Sequence, residues 1–338
     1  MKILVTGGAG FIGSHTVVEL DKAGFEPVIL DNLYNSNRAV LEGIKEITGK
    51  DFPFYELDCN DAEQVRSVFA KEKFDGVIHF AAYKAVGESV EKPLNYYENN
   101  IISLLVLLRA MQEFNVPNFV FSSSCTVYGQ PDAIPVTEST PRKPANSPYG
   151  NTKAICEDII RDHTYSKPGI KALSLRYFNP IGAHESSLIG ELPNGVPSNL
   201  VPFITQTAAG LRKSLTVFGS DYDTPDGTCI RDFIHVVDLA KAHVKALELL
   251  QSQSEANYYD VFNVGTGEGY TVLQLINTFE EVNGVKLNYT IGPRREGDVE
   301  KIYAQSDKVN NVMKWHAEKT MAEALRDAWN WQLKITAQ

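Results

Sequence analysis

The sequence predicts an α/β fold built on a doubly wound parallel sheet, and three observations predict it. Short runs rich in Val, Ile, Leu and Phe alternate with longer helical stretches through residues 1–178. Most of these runs are apolar throughout rather than alternating, as expected of strands covered by helices on both faces. A glycine-rich turn, "GGAGFIG", follows the first run directly and leads into a helical stretch.

Taken in order, the strands are expected at 2–6 (KILVT), 27–30 (PVIL), 52–57 (FPFYEL), 76–80 (GVIHF), 118–123 (NFVFSS) and 172–178 (ALSLRYF). Helical patterns occupy 15–24 and 62–72 between them. After Phe178 the rhythm breaks into Pro-, Gly- and Asn-rich loops at 179–200 and 219–230, which reads as a smaller, irregular α/β region. "VFNVGTG" (261–267) reads as a further strand, so a segment near 233–264 is expected to return to the main sheet. The division expected is 1–178 for a dinucleotide and 179–338 mainly for a substrate. The helix at 94–114 has an apolar surface wider than one stripe between Ile101 and Met111. Two readings stay open for it: a helix sandwiched inside the chain, or one whose outer face, with Ile155 and Ile159, packs on a second subunit.

Bulk properties narrow the function classes. The chain has 338 residues with 42 acids against 32 bases, a net charge of −10, which argues against nucleic acid as a partner. No apolar run is long enough to cross a membrane, and "MKILVTGGAGFIG" reads as strand and turn rather than signal peptide. Cys59, Cys125, Cys156 and Cys229 lack the spacing of a metal site or a disulfide framework, so no metal and a reducing, cytoplasmic setting are expected.

The glycine turn carries the first chemistry. Gly8, Gly10 and Gly13 match G-x-G-x-x-G, and Gly7, Gly10 and Gly13 give G-x-x-G-x-x-G. Glycines permit positive φ and close backbone approach to a pyrophosphate, which the following helix N-terminus attracts. Asp31, ending the second strand, stands where an acid accepts both ribose hydroxyls and repels a 2′-phosphate, favouring NAD over NADP. Asp58 ends the third strand in "ELDCND"; an adenine or ribose contact and a helix cap are both open for it. His79 is expected to be a packed strand histidine.

The second chemistry lies in "SPYGNTKAICED" (147–158). Tyr149 and Lys153 stand four apart, on one helical face, behind Pro148 and a capping Ser147. The strand before them ends in hydroxyls at Ser122, Ser123, Ser124 and Thr126. A phenol serves as a base near neutrality only if its pKa falls by about three units, or roughly 4 kcal/mol. A cation about 5 Å away at an effective dielectric near 20 supplies about 3 kcal/mol. Lys153, helped by a cationic nicotinamide, is therefore expected to lower the Tyr149 phenol.

With "VTGGAGFIGSH", "FSSSCTVYG", "SPYGNTK", "RYFNPIGAH", "GTCIRDFIHVVDLA" and "PRREGD" in this order, the chain resembles, end to end, the extended short-chain dehydrogenase/reductases, Rossmann-like enzymes, and within them the UDP-hexose 4-epimerase branch. The resemblance implies Tyr149 as proton acceptor, Lys153 on the nicotinamide ribose, and Ser124 on the sugar 4-oxygen. It implies NAD contacts from Gly7, Gly10, Phe11, Ile12, Gly13, Asp31, Asn32, Asn35, Ser36, Asp58, Cys59, Phe80, Ala81, Lys84, Asn99 and Phe178. For the nucleotide sugar, UDP-glucose or UDP-galactose, it implies Lys84, Asn179, Asn199, Leu200, Thr216, Phe218, Arg231, Arg295, Asp298 and Ile302. Arg231 and Arg295 suit paired phosphate oxygens; from the residues alone, Arg231 with Asp232 reads as a local ion pair. The resemblance also implies a homodimer, and hydride leaving and returning at sugar C4 through a 4-keto sugar. Two alternatives carry different marks. A dehydratase of the same family has an Asp-Glu pair after the serine strand, where this chain has Cys125, Thr126 and Val127. A non-catalytic NAD-binding protein on this fold lacks the Tyr or the Lys. A branched Ile302 points to UDP-glucose and UDP-galactose rather than N-acetylhexosamines.

Overall fold

Apolar runs without polar interruption lose their water on both faces when they form strands of a sheet layered by helices. The computed structural model describes residues 1–166, 169–295 and 298–337. Its first half runs β1 (Lys2–Thr6), α1 (Phe11–Lys22), β2 (Glu26–Asp31), α2 (Ala39–Thr48), β3 (Phe54–Glu56), α3 (Ala62–Glu72), β4 (Gly76–His79), α4 (Val86–Glu91), α5 (Pro93–Glu113), β5 (Asn118–Ser124), α6 (Pro148–Ser166) and β6 (Lys171–Tyr177). A 3-10 turn, Cys125–Tyr128, follows β5. The second half runs β7 (Asn179–Ile181), α7 (Leu200–Ala208), β8 (Leu215–Phe218), β9 (Ile230–Arg231), β10 (Phe233–His235), α8 (Val236–Ser252), β11 (Tyr258–Val264), β12 (Tyr270–Thr271), α9 (Val272–Asn283), β13 (Tyr289–Gly292), β14 (Lys301–Ile302), α10 (Asp307–Val312) and α11 (Met321–Thr336).

Seven parallel strands form the main sheet in the order β3-β2-β1-β4-β5-β6-β11. Strand order reverses between β1 and β4, and the crevice beyond their carboxyl ends is where such sheets bind ligands. The pleat divides β1 between two cores. Ile3 and Val5 pack with Val17 of α1 and Leu239 of α8, whereas Leu4 packs with Val65 of α3 and Leu107 of α5. Each such fully buried aliphatic side chain is worth roughly 1.5–3 kcal/mol. The remaining strands pair outside this sheet: β7 with β10, β8 with β13, and β9 with both β12 and β14. Ile204, Leu275, Phe279 and Leu325 form a separate core among α7, α9 and α11.

Several boundaries differ from the sequence reading. Strand β3 shrinks from 52–57 to 54–56 at the sheet edge, because Pro53 has no N–H to give; its carbonyl still accepts from Ile29 N at 2.8 Å. Strand β11 starts at Tyr258 and stops at Val264, before the loop drawn onto Asp232. Helix α1 begins four residues early, at Phe11, so it opens directly from the glycine turn. The cap of α3 is Asp61, accepting from Gln64 N at 3.0 Å, which removes the capping reading of Asp58. Helix α5 lies between α3 and α6 with Leu104, Leu107, Leu108 and Met111 buried. Ile101 and Leu105, with Ile155 and Ile159 of α6, stay half-buried.

Three histidines are sealed in these layers. His15 gives Nδ1 to Phe11 O at 2.7 Å, His79 meets Thr6 Oγ1 at 2.7 Å between Phe119 and Phe121, and His243 meets Leu239 O at 2.9 Å. His79 is thus a packed strand residue, as expected. Burial lowers their pKa values from 6.5 to about 3, about 3 and about 4 respectively. All three are neutral in the fold but take up protons on unfolding below pH 6.5. Their stabilisation is whole above that pH and is lost as pH falls toward 4, by more than about 1 kcal/mol per unit for each histidine. Thermal midpoints measured between pH 7 and pH 4.5 should fall steeply below pH 6.5; a flat profile would contradict this burial.

Candidate active site

The glycine turn closes on itself by contact rather than by strain. Among its glycines only Gly7 has positive φ, +68°, while a Cβ on Gly13 would stand 2.2 Å from Gly7 O and one on Gly7 2.8 Å from Ala81 N. The turn is therefore pressed against the chain leaving β4 at Phe80 and Ala81. Gly10 caps α1 without any side chain, so the first-turn amides of Phe11, Ile12 and Gly13 keep no protein side-chain acceptor. An anion fits there. Asp31 is buried beside the turn, accepting from Ala9 N at 3.0 Å, Leu33 N at 2.9 Å and Ser36 Oγ at 2.8 Å. Oδ2 keeps one lone pair free for a ligand hydroxyl.

Around this cradle the expected cofactor residues form a linked rim. Asn32 donates to Asp58 Oδ2 at 3.0 Å, Asn60 bridges Asp58 Oδ1 (2.8 Å) and Asn99 Oδ1 (3.0 Å), and Asn99 donates to Asn100 Oδ1 at 3.0 Å. Asn35 is exposed next to Ser36. Cys59 is buried, its thiol pushed up by burial with Asp58 and Asp31 adding to the effect.

The serine strand and the tyrosine helix meet at the carboxyl end of β5. Ser147 caps α6 through Gly150 N at 3.2 Å. The Lys153 ammonium donates to Ser122 O at 2.6 Å and sits 5.9 Å from the centre of the Tyr149 ring. The Tyr149 phenol is paired with the Ser124 hydroxyl, which also accepts from Thr126 N at 3.2 Å and Thr126 Oγ1 at 3.0 Å.

With protein groups alone, the phenol is shifted the other way. Withdrawal from water pushes Tyr149 up to about 12, with Cys125 adding and the Ser124 hydrogen bond opposing. Burial also lowers Lys153 to about 8, against Cys156 and Glu157, which favour its charge. The ammonium is aimed at a strand carbonyl, and desolvation is the largest influence on the phenol. With protein groups alone, Tyr149 stays protonated at neutral pH.

Beyond this trio lies the second half of the chain. Ile302 is buried with Cys125 and Phe178, and pairs in register with Arg231. Asp298 stands between the two expected arginines, 2.7 Å from Arg295 Nη2 and 3.8 Å from Arg231 Nη2. Asp232 is not the partner of Arg231. It is fully buried and accepts from Thr266 N (2.9 Å), Thr266 Oγ1 (2.7 Å), Gly267 N (3.1 Å) and Ala304 N (3.2 Å). Phe218 is exposed, under the Arg295 guanidinium at 5.6 Å, with Thr216 two residues earlier on the same face of β8. Asn179 donates its N–H to Asp232 O at 3.0 Å, and Asn199 precedes Leu200 at the start of α7.

Two residues of this site went unread in the sequence. Glu191 accepts from Lys84 Nζ at 3.1 Å and Asn199 Nδ2 at 2.5 Å, joining a cofactor-side residue to a substrate-side one. It lies in the loop stretch 179–200, where no spacing marks it. Tyr177, whose hydroxyl meets Ser122 Oγ, was visible only as an aromatic inside a strand. Among the described residues no cluster of His, Cys, Asp and Glu could hold a metal ion, and no helix is long and apolar enough to cross a membrane.

This arrangement has close counterparts. Residues 3–265 match the model of the NAD dependent epimerase/dehydratase family. A UDP-glucose 4-epimerase of Bacillus subtilis is 51% identical over 333 residues, 98% of this chain and 97% of that protein. The crystal structure of a UDP-glucose 4-epimerase from Bifidobacterium longum in complex with NAD+ and UDP superposes with a TM-score of 0.95 at 46% identity, covering 99% of this chain and 98% of that one. One from Stenotrophomonas maltophila, with bound NAD and formylated UDP-arabinopyranose, gives 0.96 at 45% identity, covering 100% and 99%. The family match runs from β1 to the end of β11, through every strand of the parallel sheet, and the chain belongs to the NAD dependent epimerase/dehydratase family.

Proposed function

We infer that this protein interconverts UDP-galactose and UDP-glucose, with NAD as resident cofactor. The observation that carries the reading is the joining of Tyr149, Ser124 and Lys153 at the carboxyl end of β5, the same end of the parallel sheet as the glycine cradle, with Ile302, the register partner of Arg231, packed with Cys125. The cradle fits the cofactor: uncapped amides at the start of α1 suit its pyrophosphate, and Asp31 suits an adenosine ribose without a 2′-phosphate. NAD supplies a hydride acceptor and a ring cation.

Ser124 hydrogen-bonds the sugar 4-oxygen and orients its proton toward the phenol of Tyr149. Lys153, anchored on Ser122 O, orients the nicotinamide ribose and holds positive charge next to the phenol once it ionises. Tyr149 takes the 4-hydroxyl proton as hydride departs from C4, and gives it back when hydride returns to the other face of the 4-keto sugar. Arg231 and Arg295 exchange Asp298 for the diphosphate, so the nucleotide stays fixed while the hexose turns over. The 3-10 turn Cys125–Tyr128 carries no carboxylate, so the acid and base that water elimination requires are missing from the place where a dehydratase has them.

Residues 1–178, with a returning segment near 233–264, form the NAD-binding part on this reading, and 179–338 mainly the nucleotide-sugar part. The half-buried Ile101, Leu105, Ile155 and Ile159 favour a homodimer through α5 and α6. Four free, buried thiols fit a cytoplasmic enzyme.

Purified protein should convert UDP-galactose to UDP-glucose without added cofactor, and Tyr149→Phe should lower kcat by about 100-fold or more. Near-normal turnover by the Tyr149→Phe variant would defeat this reading. Ile302 fills its place with a buried branched side chain, so UDP-N-acetylglucosamine should turn over poorly and Ile302→Ser should raise its kcat/KM by about tenfold or more. Equal turnover of both sugar classes by the unaltered protein would refute that assignment.

A further inference from the structure

Tyr149 and Lys153 belong to a stripe of three. Glu157 follows Lys153 by four more residues, so all three stand on one face of α6. Tyr149 meets the Ser124 hydroxyl, the Lys153 ammonium meets Ser122 O, and Ser123 donates to Glu157 Oε1 at 2.5 Å. Three consecutive serines are thus held by three members of one stripe.

Glu157 is 2% exposed and its charge is matched inside the protein. Arg176 of β6 grips it with two bonds, Nε to Oε1 at 2.8 Å and Nη2 to Oε2 at 2.5 Å, while Arg142 approaches to 3.5 Å. Arg176 lies in register with Ser123 and also donates to Tyr128 Oη at 3.0 Å. Tyr128 in turn donates to Asn263 Oδ1 of β11 at 2.6 Å. One carboxylate therefore ties α6 to β5, to β6, and through Arg176 to the turn that follows Ser124. The forked geometry fixes direction as well as distance.

We propose that Glu157 is a positioning residue for the reaction: gripped by Arg176 and Ser123, it sets the register of α6 on β5 and so the placement of the Tyr149 phenol and the Lys153 ammonium against Ser124. The proposal rests on the function inferred above. Charge adds to geometry, since the Glu157 carboxylate favours the ammonium form of Lys153 while His79, from β4, is held neutral.

The test is steady-state kinetics of the NAD-loaded protein on UDP-galactose, with thermal midpoints, for Glu157→Gln and Ser123→Ala. Gln keeps the shape but loses the charge facing Arg176; Ala removes one hydrogen bond and leaves the ion pair. Glu157→Gln should lower kcat about tenfold or more with KM within about twofold, and Ser123→Ala should lower kcat several-fold in the same pattern. Folded Glu157→Gln at the wild-type kcat, with only a lower midpoint, would make Glu157 a structural ion pair and overturn the proposal. So would a raised KM at unchanged kcat. If Glu157→Gln does not fold, Ser123→Ala decides, and a wild-type kcat in it overturns the proposal. Failure of the functional reading would show in the unaltered protein, which would have no turnover to lose, and the proposal would fall with it.

Discussion

Desolvation is the constraint on which this site turns. Burying Lys153 and half-burying Tyr149 favours the neutral form of each, pushing the phenol up to about 12 and the ammonium down to about 8. A base catalyst needs the opposite pair, phenolate and ammonium. The fold narrows the gap without closing it: Ser124 hydrogen-bonds the phenol, and Ser122 O anchors the ammonium at 2.6 Å. A low-dielectric pocket strengthens whatever charge enters it, so the same burial that silences the phenol makes it responsive to a nearby cation. On the proposed mechanism the base is active only beside an oxidised cofactor ring, which suits a reaction that must not leave its ketone behind.

The parallel sheet supplies the rigidity this requires. Its strand reversal between β1 and β4 brings the glycine turn against Ala81, and the register of β5 with β6 sets Ser123 beside Arg176. The second half of the chain is tied back through single carboxylates, one fully buried and one half-buried. Asp232 gathers Thr266, Gly267 and Ala304, which fixes the strand edge carrying Ile302 and Arg231. Glu191 joins Lys84 to Asn199 across the cleft. Such groups cost free energy to bury and return it as direction.

Much of this was legible in the residues. The uninterrupted apolar runs predict the parallel sheet, and the glycine turn with Asp31 shows where its ligand lies, because both follow from local rules of spacing and backbone freedom. Tyr149 and Lys153 could be placed on one helical face from an offset of four. What stayed illegible depends on contacts between distant parts of the chain. Asp232 reads as a partner of Arg231 by adjacency, yet in the break between β9 and β10 it turns inward onto Thr266 and Gly267 and leaves Arg231 to Asp298. Pro53 shortens β3, and Asp61 rather than Asp58 caps α3, a difference of three residues that only the turn geometry settles. The phenol is the instructive case: a Coulomb argument at fixed dielectric counts the Lys153 charge and omits desolvation, the largest influence on the phenol in the fold.

The most direct test compares the ionisation of Tyr149 in protein loaded with NAD+ and with NADH, which differ there in the charge of one ring. Tyrosinate absorbance of the unaltered protein minus that of Tyr149→Phe isolates the group as pH is raised. A ring cation about 5 Å away at an effective dielectric near 20 should place the Tyr149 transition about two pH units lower with NAD+ than with NADH. Ionisation at the same pH in both forms would contradict the account, because it would mean that Lys153 and Ser124 set the phenol without the ring.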